Sequence, residues 1–186
     1  MVKFVLHGGN TSELNKDNNS FFREMTFSNK KKLKILLNYF AREDSGLKKL
    51  SEQDSKRFKK LTLVKNIDFD IAYPNKLYKQ LEWADVMYMR GGRTEWLTKK
   101  LYQTNNLEKL FQGKVIGGSS AGVYTLVAYY YGNDSRKIGT GLGILNIKAY
   151  CHYEPKDAKT IEKLTSYKEK LPLLVLPNYK WVVMYK

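Results

Sequence analysis

One cysteine, two histidines and four prolines are all the chain has of three residue types that often carry chemistry or punctuate structure. A lone cysteine, Cys151, excludes an internal disulfide and fits a reducing compartment. Two histidines and one cysteine, with no HxxE-type spacing, are too few to build a zinc site. No window reaches the roughly 18 apolar residues that a membrane helix needs. The opening MVKFVLHGG has too short an apolar stretch for a signal peptide. The expectation is a soluble, cytoplasmic chain with no metal, no cofactor and no membrane partner. Acidic residues are also few: 18 Asp+Glu stand against 33 Lys+Arg, a formal charge of +15. Such an excess can attract nucleic acid. The lysines are scattered, however, as in NKKKLK at 29–34 and KRFKK at 56–60, and no zinc-finger spacing or RNA-binding aromatic motif accompanies them. A solvated basic surface is expected, and nucleic-acid binding is not expected as the main function.

What is present is enough apolar material for a core: 42% hydrophobic and 13% aromatic residues in a chain of 186. No repeat or low-complexity linker divides it, so one domain over 1–186 is expected. Short apolar runs alternate with amphipathic stretches. Strands are predicted at 2–6, 33–41, 66–73, 85–90, 114–117, 144–153, 172–176 and 180–185. Helices are predicted at 12–27, 51–61 (opened by Ser51 with Asp54 three residues on), 75–84, 94–103, 121–131 and 155–171. GTGLG at 139–143 lacks the Lys-Ser/Thr of a phosphate loop and reads as a turn. The alternation predicts an α/β fold, a mostly parallel sheet with helices on both faces in three layers. Ligands of such sheets bind beyond the carboxyl ends of the strands.

Four loops that follow strands carry unusual residues: HGGNTSE (7–13), RGGRTE (90–95), GGSSAGV (117–123) and CHYEPKD (151–157). Gly118-Ser119-Ser120-Ala121-Gly122 matches G-x-S-x-G between an apolar strand and an apolar helix. At such a junction the central serine is forced into strained backbone angles and projects from the sheet edge. Small flanking residues avoid collisions with neighbouring elements. The amide of Ala121 is a natural donor to a developing oxyanion. A serine nucleophile needs a base. His152 and His7 both follow strands, and His152, just before a helix, is the better candidate. His7 in LHGGN resembles the His-Gly-Gly oxyanion loop of lipases and esterases, which leaves a small esterase as an alternative. Gly91-Gly92 let backbone approach a substrate closely and offer the second oxyanion amide.

Taken together, these stretches resemble the peptidase E family, the dipeptidase E and cyanophycinase group of serine peptidases in the class I glutamine amidotransferase-like fold. The resemblance lies in GGSSAG at 117–122, VMYMRGGRTEWL at 86–97 and GLGILNIKAYCHY at 141–153, and VLHGGNTSELNKDNNSFFREM at 5–25 adds to it. It implies Ser120 as nucleophile, His152 as general base, and amides of Ala121 and the Gly91-Gly92 loop as the oxyanion hole. Arg93, Thr94 and Ser119 are expected to face the substrate, a short peptide. The family's loop begins with three glycines and Asn. Here Arg90 and Arg93 replace the first glycine and the Asn, so charge is expected near the site entrance. The position that matches the family's triad acid holds Asn178, in LPNYKWVV; an amide can still accept a hydrogen bond from the imidazole. Asp134 and Glu154 are the other carboxylates that could fill that role. The amide also leaves open a catalytically weakened member that serves as a binding or regulatory domain. A homodimer is neither required nor excluded.

Overall fold

The computed structural model describes all 186 residues. The main sheet has six strands: β1 (Lys3–His7), β2 (Lys32–Asn38), β3 (Asn66–Ile71), β4 (Val86–Met89), β5 (Val115–Ser119) and β10 (Trp181–Tyr185). Their order is β10-β1-β5-β4-β2-β3, parallel throughout except for β10, which runs antiparallel to β1. A second sheet of four strands comprises β6 (Val127–Gly132), β7 (Lys137–Thr140), β8 (Leu145–Cys151) and β9 (Leu173–Leu176), in the order β7-β6-β8-β9. No helix is long and apolar enough to cross a membrane.

The main sheet is covered on both faces because its strands are apolar on both. Val5, Ile35, Leu37, Val86 and Tyr88 face one cluster, with Phe21, Phe22 and Met25 of α1 (Lys16–Thr26) and Phe58 of α2 (Leu47–Leu61). Phe4, Leu6, Met87, Met89 and Ile116 face the other. There they meet α3 (Leu77–Trp83), α4 (Thr94–Tyr102), α5 (Leu107–Phe111) and α6 (Ala121–Leu126), with the inner side of the second sheet beyond. Phe21, Phe22 and Phe58 are fully buried. Burying each contributes about 1.5–3 kcal/mol, against about 0–1 for an exposed ion pair. Packing, rather than the lysine-rich surface, therefore seats α1 and α2.

Several expected elements differ. The helix expected over 121–131 ends at Leu126, and Val127–Gly132 is a strand. A run of Val and three tyrosines suits a pleated, half-buried surface, and it finds partners in β7 and β8. Two residues of the expected 139–143 turn, Gly139 and Thr140, belong to β7. Helix α2 begins at Leu47 rather than Ser51; the Ser51 hydroxyl bonds Lys48 O inside the helix, and Asp54 is buried rather than capping. The expected 155–171 helix reduces to a 3-10 turn at Pro155–Asp157 and α7 (Ala158–Thr165). The two last strands, expected as a joined pair, enter different sheets, and the Pro177–Lys180 turn between them crosses from one sheet to the other.

Candidate active site

Sheet register decides which loops meet. His7 ends β1 opposite Ser119 of β5, and Cys151 ends β8 opposite Leu176 of β9. Ser120 therefore leaves the main sheet beside Gly8, while His152 leaves the second sheet beside Pro177-Asn178. The HGGN segment joins these exits through its backbone. Ser120 N donates to His7 O (3.0 Å), His152 N to Gly8 O (3.0 Å) and Tyr179 N to Gly9 O (3.2 Å), and Gly8 N donates to Lys180 O (2.9 Å).

The side chains converge accordingly. Ser120 Oγ lies 2.8 Å from His152 Nε2, and His152 Nδ1 lies 2.6 Å from Asn178 Oδ1. An amide oxygen only accepts, so Nδ1 carries the ring proton and Nε2 is left to accept from the Ser120 hydroxyl. Ser120 sits at φ 50, ψ −103, outside the helical and extended regions. Asn10, His152 and Tyr179 also have positive φ, so four of the seven such non-glycine residues gather here. Strain of this kind persists only where surrounding structure enforces it. Small residues make the crowding tolerable. A Cβ on Gly118 would meet Gly122, one on Gly122 would meet Met89 O at 2.8 Å, and one on Gly9 (φ +135) would lie 2.7 Å from His152 Nε2.

The N–H groups at the start of α6, that of Ala121 among them, have no carbonyl four residues back within the helix and point toward the junction. Gly91 lies alongside, its would-be Cβ 3.2 Å from Ser120 Cβ. Cys151, one residue before His152, is not a competing nucleophile, because burial pushes its thiol well above the ordinary range. No group of three His, Cys, Asp or Glu side chains is placed to hold a metal ion.

Two clefts meet at the Ser120–His152 pair. One, of about 400 Å³, is lined by Thr94, Glu95, Tyr124, Tyr130 and Asn133, among others. Tyr124 stacks on Tyr130 (4.6 Å), accepts from Cys151 N (2.9 Å) and donates to Asn133 Oδ1 (2.7 Å), which stiffens that wall. The other cleft, of about 220 Å³, has no apolar lining and includes Asn10, Thr11, Arg42, Arg90 and Ser119. Arg90, expected as an entrance charge, is instead buried: its Nη1 donates to Asp54 Oδ1 (2.9 Å), and Tyr39 OH donates to Asp54 Oδ2 (2.9 Å). Arg90 still borders this cleft. Asp54 and Tyr39, distant in sequence, carried no signal that would tie them to the site.

The other expected site residues are placed as follows. Ser119 is buried beneath Ser120 and borders the smaller cleft. Thr94 begins α4 and Arg93 lies 4.3 Å over the Trp96 ring, both bordering the larger cleft. Asp134 is exposed in the β6–β7 turn and borders both clefts without a hydrogen bond to His152, whose Nδ1 is taken by Asn178. Glu154 caps the Pro155–Asp157 turn and pairs with Lys156, away from the ring. His7 is buried: Gly9 N donates to its Nδ1 (3.0 Å), and its Nε2 meets Asn18 Oδ1 (2.8 Å). Both HGG amides are thus spent internally, on His7 and Lys180, which removes the esterase-type oxyanion loop.

Among solved structures, the chain is similar to a peptidase from an acI-B1 Actinobacterium (16% identity, TM-score 0.68, covering 98% of this chain and 83% of that one). It is also similar to a candidate peptidase E protein from Listeria monocytogenes EGD-e (14% identity, TM-score 0.64, covering 100% and 99%). These likenesses show a shared α/β fold. No curated protein matches the chain. The family model for peptidase family S51 matches residues 4–186, nearly the whole length, and the chain belongs to that family.

Proposed function

We propose that the protein is a serine peptidase that hydrolyses short peptides through an acyl-enzyme on Ser120. The observation that carries this reading is the relay of two short contacts, 2.8 Å from Ser120 Oγ to His152 Nε2 and 2.6 Å from Nδ1 to Asn178 Oδ1. In the reaction, Oγ attacks the scissile carbonyl carbon while Nε2 takes its proton. The Ala121 and Gly91 amides stabilise the oxyanion, each such donor being worth about 3 kcal/mol. The intermediate collapses, and Nε2–H gives its proton to the departing amine. Water then attacks the acyl-serine with the same imidazole as base, which releases the acid and restores the hydroxyl. Asn178 holds the productive tautomer throughout. The polar cleft with Arg42 and Arg90 suits a substrate bearing a carboxylate.

A fluorophosphonate probe tests the reading. It should label wild type and Ser119→Ala and fail to label Ser120→Ala, and the same variants should keep or lose hydrolysis of a dipeptide panel. A folded wild-type protein that resists labelling would instead favour a binding domain, and peptide cleavage by Ser120→Ala would remove the nucleophile assignment.

A further inference from the structure

Past Gly92 the catalytic cleft opens into a third hollow, of about 590 Å³, larger than either cleft at Ser120. It lies between the β2–α2 loop, the first turns of α2 and the start of α4, and Arg42, Lys49, Leu50, Gln53, Arg93 and Trp96 form much of its wall. The three depressions are continuous: Gly92 and Asp134 border all of them. Gly92 is the joint. Its φ of +155 and the contact a Cβ would make with Ala41 O keep the position bare, and Arg93 N donates to Ala41 O (2.9 Å), tying α4 to the β2–α2 loop. Gly92 thus places no side chain at the border that the hollow shares with the Ser120 clefts.

The charges of the hollow are unbalanced. Of its two acids, Glu43 is occupied by Arg93 (3.8 Å) and Asp134, at the junction with the catalytic clefts, forms no ion pair, so three cations, Arg42, Lys49 and Arg93, stand against two carboxylates. Arg42 and Lys49 have no carboxylate within 4 Å, although the chain forms eight ion pairs elsewhere and at this rim. Trp96 supplies an aromatic floor already overlaid by the Arg93 guanidinium. A net excess of one cation, with Arg42 and Lys49 unpaired beside an aromatic surface in a hollow continuous with the Ser120 clefts, matches an extended chain with carboxylates.

We infer that this hollow is a subsite for the extension of an anionic peptide. The substrate is longer than two residues and carries an acidic side chain beyond the residues flanking the cleaved bond. The inference rests on the peptidase reading of Ser120, and the experiment separates the two. Twenty Xaa-Ala cores are compared bare and extended at either end by three Glu, three Gly or three Lys residues, following kcat/KM. The Glu-extended peptides should exceed the bare dipeptide and the Lys-extended peptides by about tenfold at low salt, and the advantage should shrink as salt screens it. Lys49→Glu should lower the rate on Glu-extended peptides about 3- to 10-fold and leave the bare dipeptide unchanged, as befits an exposed charge. Trp96→Ala should raise KM for extended peptides alone. Calorimetric binding of the same peptides to Ser120→Ala should give the same ranking without turnover. Equal rates on bare and Glu-extended cores, or a Lys49→Glu effect that ignores peptide charge, would overturn the subsite while fluorophosphonate labelling of Ser120 left the peptidase reading intact. Absence of labelling would overturn both.

Discussion

Gly9 packs its backbone against the imidazole of His152, so that no side chain heavier than hydrogen fits between them. The same residue accepts a hydrogen bond from Tyr179 N, next to Asn178. The β1 loop thus sets the height of the His152 ring relative to the Ser120 hydroxyl.

Gly9→Ala should push the ring off Ser120. A misplacement of about 1 Å costs on the order of 10²-fold in rate. The expected result is a labelling rate and kcat lower by at least that factor, with KM changed far less. Stability should fall by about 1–3 kcal/mol from the φ of +135, leaving a cooperative thermal transition. Unchanged labelling would show that the ring position does not depend on this packing.

Asn178→Asp should raise activity. A carboxylate at Oδ1 would hold the same tautomer and also stabilise the imidazolium formed in the transition state. In a serine peptidase built around aspartate, the opposite change costs about 10⁴. Here a gain of roughly tenfold or more in labelling rate is expected, and Asn178→Leu should lose activity. If neither variant alters the rate, Asn178 has no part in orienting the base.

His7 makes stability depend on pH. Burial, the largest influence, lowers its pKa from 6.5 to about 4, against the opposing hydrogen bond that its Nε2–H donates to Asn18 Oδ1. The unfolded chain binds a proton at higher pH than the folded one. Its contribution is therefore complete above about 6.5 and is lost as pH falls toward about 4, with a total on the order of 3 kcal/mol. Urea midpoints at pH 7.5, 5.5 and 4 should decline for wild type, and the decline should be shallower for His7→Gln. Parallel declines would place the pH dependence elsewhere.

Asp54 carries the charge balance beneath the smaller cleft. Burial tends to raise its pKa, while Arg90 opposes that rise. Asp54→Ala leaves Arg90 buried without its counter-ion and should cost about 3–5 kcal/mol. Replacing both residues, as Asp54→Leu with Arg90→Met, should recover much of that loss, since an apolar pair of similar volume replaces two desolvated charges. Denaturant titrations of wild type, Asp54→Leu, Arg90→Met and the double variant, the four members of one cycle, measure the coupling. Additive losses would mean that the two charges do not sense each other.

Much of the frame was legible from local pattern. Apolar runs ending in glycine marked β1, β4 and β5, because strands covered on both faces must be continuously apolar. The small residues around Ser120 marked a junction too tight for side chains, and the registers of β1 and β5 bear the strain that they implied. The 127–132 segment was misread because a short apolar run has the same composition in a buried helix and in a strand, and only its partners β7 and β8 distinguish the two.

Local composition by itself determined the layered α/β class, the glycine-lined turns and the residue types available for acyl transfer, since these depend on backbone sterics and apolar periodicity within a few residues. Tertiary structure alone decided which of them meet. Asn178 reaches His152 because β9 and β10 part into separate sheets and their turn spans the gap. Arg90 turns inward because Asp54, 36 residues earlier, waits on α2, which covers that face of the sheet. Such pairings depend on registers between strands far apart in the chain, and no short window of sequence contains them.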